Sequence, residues 1–427
     1  MRILTAVITA LLCLPFADSD KGNENYDFPD VIVKREFKNM DQVYDGTVSF
    51  TLATAGYYKE CLQYQPIDST RLKVKIGVKQ ARIIDGKDFI IEKAKSYRMV
   101  MINEAHDRPQ HRIFTKSLLK DLYAQGFNVL MLEGLDYSSN AMTKGYPVDT
   151  DGVYTNEPVY ASMIRYARKI GFDIERYHYY ENKKMPYWDD TIKLDDRGSV
   201  KYINYVDKDS LVIKVLPSGD KVYYQTNHYE KAQANNVYKI MQRHPKSKFL
   251  MHVGYCHLCE YADSEMAHQL KKMLNGEDFL TIDQTVYDER RDITDTISHT
   301  IMKRDRPFFV EDGLRESVQV TEGGRTDYIM FNATLRDSLG RPSYLFQDVE
   351  QRYVYNIPER LTGPEDYIFA AYPLEEYEAE KEHSIAVDVV YAKKGSATPP
   401  LLLYKGKYAL LRRSRGDVYK RIDIEVK

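Results

Sequence analysis

Two short apolar runs, each ending on a carboxylate and separated by one helix-length stretch, constrain this chain more than any other feature. From Val100 to Asp136 it reads VMINEAHDRPQHRIFTKSLLKDLYAQGFNVLMLEGLD. Residues 99–102 are apolar and run into Glu104 and His106; residues 129–132 are apolar and run into Glu133. Between them Ile113, Phe114, Leu118, Leu122 and Tyr123 recur at helical spacing. Pro109 suits the first turn of that helix, Asp107 its N-cap and Gly126 its end. Continuous apolar strands joined by a helix describe parallel strands buried on both faces. The unit therefore delivers Glu104, His106 and Glu133 to the carboxyl edge of a sheet, where open α/β sheets bind ligands.

The alternation continues along the chain. A helix is expected over 158–170, stopped by Gly171, then a strand over 173–177. A helix over 229–244 stops at Pro245 and leads to a strand over 249–253. That strand ends in Gly254-Tyr255-Cys256-His257, which brings a second imidazole to the same edge. A helix over 264–274 and a strand over 279–282 follow, and 328–331 reads as a last strand. The order predicts right-handed crossovers and an α/β domain over 26–345, a mainly parallel sheet with flanking helices. Residues 183–226 break the period, with turns at 207–210 and 217–220, and predict a β-hairpin insert. From 352 to 427, strand-like segments separated by Gly- and Pro-bearing turns predict a small C-terminal all-β domain.

Composition bounds the partners. The net charge of -2 gives no global field to draw in nucleic acid or an anionic membrane. A Gly-rich phosphate loop, a Gly-x-Ser-x-Gly elbow and a basic-aromatic stripe are all missing, which argues against nucleotide use, serine-hydrolase chemistry and nucleic-acid binding. Residues 1–19 carry one Arg, an apolar run and then small residues, the pattern of a secretory signal too short to span a bilayer. The expectation is a secreted or periplasmic protein with no transmembrane segment. A lipid anchor at Cys13 is less expected, because the preceding Leu12 is bulky. Cys61, Cys256 and Cys259 remain after the signal, too few for a disulfide-built fold.

The residue types at the sheet edge suit water activation. A histidine beside ionised carboxylates is a general base whose tautomer the carboxylate fixes. His106, Glu104, Glu133 and His257 are therefore the candidate catalytic residues. His111 and Arg112, in the first turns of the next helix, are candidates for binding an anionic substrate group, or else are solvated side chains. Glu230 opens the helix before the third motif and Tyr255 follows Gly254; both are candidates to line the cleft. His252, inside an apolar strand, reads as a core histidine with its polar needs met. A metal is the other route: His106, His257 and a carboxylate from Glu104 or Glu133 are a donor set for a divalent transition metal, though without a compact metal-binding spacing. Cys256 and Cys259 flank His257 at CxxC spacing and read as packed thiols, a disulfide or a metal site.

At these residues the chain resembles the erythromycin esterase-like superfamily, which includes the ChaN-like haem-binding lipoproteins and, more distantly, the TraB/TIKI proteins. The family pattern is Gly-Glu-x-His after the first strand, a Glu after the second, and a later Gly-x-x-His. Here it stands as Asn103-Glu104-Ala105-His106, Leu132-Glu133-Gly134 and Gly254-Tyr255-Cys256-His257. Asn103 replaces the family glycine, and asparagine tolerates left-handed backbone better than most residues. The resemblance covers about residues 98–290. It implies one of three activities: ester hydrolysis by His-activated water, metal-dependent proteolysis, or haem binding. By position it makes His106 the general base, Glu104 and Glu133 its electrostatic and orienting partners, and His257 a second site residue. The resulting expectation is a hydrolase of ester or amide bonds acting on a small-molecule or peptide substrate, with a haem- or ligand-binding protein as the alternative.

Overall fold

The computed structural model describes residues 21–38, 46–64, 82–136, 139–178, 192–194, 200–203, 211–215, 221–225, 228–260, 265–275, 279–287, 304–311, 326–333 and 335–427. The signal segment expected over 1–19 lies outside the described residues, as do parts of the 183–226 insert.

Three helices come first: α1 (Pro29–Lys38), α2 (Gly46–Thr54) and α3 (Tyr58–Cys61). Strand β1 (Arg82–Asp85) turns into α4 (Gly86–Ala94), with the Asp85 side chain capping Lys87 and Asp88. The alternation then runs β2 (Met99–Glu104), α5 (Pro109–Ala124), β3 (Phe127–Leu132), α6 (Asn140–Thr143), α7 (Pro158–Ile170) and β4 (Asp173–Arg176). Four short strands follow, β5 (Ile192–Leu194), β6 (Val200–Ile203), β7 (Leu211–Val215) and β8 (Lys221–Gln225), paired as two antiparallel hairpins. The chain continues with α8 (His228–Arg243), β9 (Lys248–Gly254), a 3-10 turn at Tyr255–Leu258, α9 (Met266–Met273), β10 (Leu280–Tyr287), β11 (Phe308–Glu311) and β12 (Tyr328–Phe331).

Eight strands form one sheet in the order β1-β11-β12-β10-β2-β9-β3-β4. The six from β12 to β4 are mutually parallel, and β11 runs against its neighbours. The molecule is thus an α/β protein built on a mainly parallel sheet. Alternate residues of the central strands serve opposite faces, as the period of two requires. Val100, Ile102, Leu130, Leu132 and Leu250 pack with Phe114 and Leu118 of α5 and Tyr160, Met163 and Ile164 of α7. Met99, Met101, Val129, Met131 and Met251 pack instead with Val237 and Met241 of α8 and Leu270 of α9. Chain direction reverses around β2 and β9: β2 leads through α5 to β3 on one side, whereas β9 leads through α9 to β10 on the other. That reversal is the place in a doubly wound sheet where a crevice opens.

The remainder of the chain is a second, β-rich layer. Short pairs β13 (Asp337–Ser338) with β14 (Arg341–Pro342), and β15 (Tyr353–Tyr355) with β18 (Leu401–Leu403), flank a four-stranded antiparallel sheet. That sheet takes β16 (Tyr367–Pro373), β17 (Asp388–Ala392), β19 (Gly406–Ser414) and β20 (Tyr419–Val426) in the order β17-β16-β19-β20, with α10 (Leu374–Glu380) after β16. One face packs on Tyr355, Leu401 and Leu403; the other is covered by Tyr26 and Phe28, just before α1, and by Ile32 and Leu52 of the N-terminal helices. The two layers meet at α5, where Lys116 is fully buried against Asp348 at 2.9 Å and Glu350 at 3.0 Å.

The start of α5 corrects one expectation. Its N-cap is Arg108, with no side-chain cap bond, and Pro109 occupies the first turn. Asp107 does not cap it, because its Oδ2 accepts from Ser49 Oγ of α2 at 2.8 Å.

Candidate active site

The site begins with a buried carboxylate. Glu104 ends β2 and is 2% exposed, so its charge must be matched inside the protein. Arg112 does this from the first turns of α5, with Nε donating to Glu104 Oε2 at 2.5 Å and Nη2 to Oε1 at 2.8 Å. The same guanidinium donates through Nη1 to Glu157 Oε2 at 2.9 Å and through Nη2 to the His106 carbonyl at 3.1 Å. Glu157 is itself the N-cap of α7, accepting from Val159 N at 2.8 Å and Tyr160 N at 2.6 Å, and from the Tyr58 hydroxyl. His252 closes the cluster, with Nε2 2.8 Å from Glu104 Oε2 and Nδ1 3.1 Å from Thr115 Oγ1. Burial alone would raise the Glu104 carboxyl. The charges of Arg112 and His252, with hydrogen bonds from Arg112 and His106, outweigh it and hold the group well below the usual carboxylate range.

His106 is the group this cluster presents. Its Nδ1 lies 3.1 Å from Glu104 Oε1, and its Nε2 lies 3.2 Å from the Tyr154 hydroxyl. An ionised carboxylate only accepts, so in the neutral ring Nδ1 carries the proton and Nε2 holds the lone pair. The ring stacks on Tyr154 at 4.4 Å and meets Tyr255 edge-on at 5.1 Å. Its side chain keeps 21% exposure, which leaves it open to solvent on one side.

Glu133, one residue past β3, faces the same point from a neighbouring strand. Its Oε2 accepts from Gly254 N at 2.5 Å and its Oε1 lies 3.5 Å from the Tyr154 hydroxyl and 3.6 Å from His257 Nε2. Burial raises this carboxyl, but His257, His106 and the Gly254 amide bring it down to about 2. His257 stands between two carboxylates, with Nδ1 2.8 Å from Glu230 Oε2. Burial lowers its imidazole, and Glu133 and Glu230 together push it up to about 10. Burial also raises the Tyr154 phenol far above its ordinary range, with Glu133 adding to the effect, so it serves as a neutral donor.

Two glycines make this closeness possible. A Cβ on Gly254 would lie 2.5 Å from His106 Cε1 and 2.7 Å from its Nε2. Gly134 has φ +72° and would place a Cβ 2.8 Å from the Tyr154 ring. Both glycines belong to the short motifs at the ends of β9 and β3.

The structure gathers His106, Glu104, Glu133, His257 and Glu230 around this edge, and Tyr255 stands at its rim with 47% exposure. His111 and Arg112 do not line the cleft as substrate-binding groups. Both are fully buried: His111 Nδ1 accepts from Ala105 N at 3.0 Å, and Arg112 is consumed by Glu104 and Glu157. Asn103 faces inward too, donating to Tyr255 O at 2.8 Å and Asp283 Oδ1 at 3.0 Å. Sequence reasoning missed Tyr154, Glu157 and the contributions of α2 and α3 (Ser49 and Tyr58). Only Glu157 left a signal, an acidic side chain directly before Pro158 at a helix start.

The metal set His106, His257 and Glu104 does not assemble, because Glu104 is enclosed by Arg112, His252 and His106. Among the described residues, Glu230, His257 and Glu265 have donor atoms within 4.8 Å of one another. This is a one-imidazole, two-carboxylate set of the kind borderline cations accept. A cation there would have to displace the proton shared with Glu230. Haem ligation by His257 would likewise break one of its carboxylate contacts, and ligation by His106 Nε2 would displace the Tyr154 hydroxyl. A separate cavity of about 340 Å³ between α5 and residues 332–349 is lined by Lys87, Phe114, Arg306 and Tyr344 and contains no imidazole.

No family model and no curated protein matches the chain. Among solved structures, that of the type III effector HopBA1 is similar over 49% of this chain and 87% of its own, at 12% identity and a TM-score of 0.27. A likeness at that level carries no argument about activity.

Proposed function

We propose that the protein is a hydrolase of ester or amide bonds that activates water at His106. The observation that carries this reading is the Glu104–His106 pair: a buried, ionised carboxylate on Nδ1 of a partly exposed ring whose Nε2 accepts from the Tyr154 hydroxyl. A water replacing the Tyr154 hydroxyl at Nε2 gives its proton to the ring as its oxygen bonds the carbonyl carbon. Glu104 then faces an imidazolium and stabilises it. The Tyr154 phenol lies on the same side and is a donor for the oxyanion that forms. The charged His257, held between Glu133 and Glu230, adds positive charge nearby. The imidazolium returns its proton to the departing alcohol or amine, and the carbonyl–heteroatom bond breaks. The signal-like segment over 1–19 supports a secreted or periplasmic setting for this chemistry.

The test is a panel of chromogenic esters and amides offered to the wild type and to His106→Ala. The wild type is expected to turn over at least one, with the variant slower by about 10²- to 10⁴-fold. Equal rates in both proteins would remove His106 from the reaction.

A further inference from the structure

We propose that Cys256 and Cys259 are a redox-active dithiol that closes to a disulfide and locks the turn carrying His257. Cys256 lies on the 3-10 turn Tyr255–Leu258 and Cys259, three residues on, is its C-cap, with Cys259 N bonded to Cys256 O at 2.8 Å. Side chains three apart eclipse in this geometry, and three residues rise about 6 Å. That spacing lies within the range a disulfide bridges. A side-chain hydrogen bond already joins the two thiols. Cys256 is exposed and Cys259 buried, the asymmetry of an attacking and a resolving sulfur.

The turn is one that benefits from a lock. Tyr255 holds φ +31°, an uncommon value for a residue with a bulky side chain. His257, inside the four-residue loop, must keep both ring nitrogens on carboxylates contributed by β3 and α8. The oxidant is a low-molecular-weight disulfide such as glutathione disulfide. The Cys256 sulfur attacks one of its sulfurs, forming a mixed disulfide and releasing one glutathione. The Cys259 sulfur then attacks Cys256 Sγ, closing the ring and releasing the second. Two electrons pass to the glutathione pair, and the two thiol protons leave with it. The proposal rests on where His257 sits and stands or falls apart from the hydrolase reading.

The full chain, equilibrated in glutathione buffers from reducing to oxidising, is alkylated and mapped by mass spectrometry. In parallel, histidine ring NMR is recorded at the two end states. Cys256 and Cys259 are expected to pass together from alkylated to linked, while buried Cys61 stays reduced. The His257 ring signals are expected to shift between the states, with those of His244, at the opposite end of β9, unchanged. Cys256→Ser is expected to abolish the linkage. The wild-type titration decides by itself, so the test stands even where that variant fails to fold. Alkylation of both thiols at every ratio, glutathione retained on Cys256, or a linkage that leaves the His257 signals in place would each overturn the proposal.

Discussion

Gly254 has no side chain because His106 occupies the space one would need, with ring atoms 2.5 and 2.7 Å from the position of a Cβ. Gly254→Ala is therefore predicted to displace the imidazole. Its φ is -81°, which suits alanine, so the backbone carries no added strain. Activity and thermal midpoint measured on the same sample should show a large loss of the first and a small change in the second. The Glu133–His257 pair makes a pH prediction. Glu133 is held below its ordinary 4.5 at about 2, so its contribution to stability is full above pH 4.5 and lost as the pH falls toward 2. His257 is raised from 6.5 to about 10, so its contribution is full below pH 6.5 and lost as the pH climbs toward 10. The Glu133–His257 pair contributes to both shifts, so they are not summed. Urea midpoints of the wild type and His257→Gln should converge as the pH rises from 6.5 to 10. A constant gap would contradict the pairing.

At the scale of elements, α5 ties the reacting histidine to the rest of the fold. His111, Arg112, Thr115 and Lys116 are all fully buried, alongside Ile113, Phe114 and Leu118. Removing Arg112 takes the guanidinium charge from two buried carboxylates, so Arg112→Met is predicted to cost about 3–5 kcal/mol. Arg112→Lys should recover only part of that, since a point charge cannot bridge Glu104 and Glu157 with three fixed donors. Chemical denaturation of the two variants is the check. This helix also marks where legibility stops. Its bounds, its apolar residues and the strands on either side are readable, because buried parallel strands are apolar throughout and glycine ends helices. The inward course of Arg112 and His111 is not. Sequence periodicity assumes one covered face, whereas α5 is covered by the sheet on one side and the β-rich layer on the other. Asp107 resembles a cap for a related reason: the Ser49 hydroxyl that claims it comes from α2, far away in sequence.

Across the whole molecule, the two layers share their charges and their cores. Lys116 reaches Asp348, Glu350 and the Tyr404 hydroxyl, and Arg165 of α7 forms a two-pronged pair with Glu376. Tyr58, Ile113, Val159, Leu345 and Leu402 form one apolar cluster drawn from both layers. Calorimetry is accordingly predicted to show a single unfolding transition, and Lys116→Ala to lower it by removing the buried charge that joins Asp348 and Glu350 to α5. Two resolved transitions would show that the layers unfold independently. The β-rich C-terminal region is visible in its turns and alternation. The seating of α1 and α2 on its sheet is not, because partners more than three hundred residues apart leave no local pattern.

The proposed chemistry depends on Glu104 fixing His106 with its proton on Nδ1 and its lone pair on Nε2. Nitrogen NMR of the His106 ring, recorded on the intact protein at a pH where the ring is neutral, reads that arrangement directly. A protonated Nδ1 and an unprotonated Nε2 are predicted. The opposite tautomer would mean that the nitrogen facing the cleft cannot take a proton from water, and the proposed chemistry would not stand.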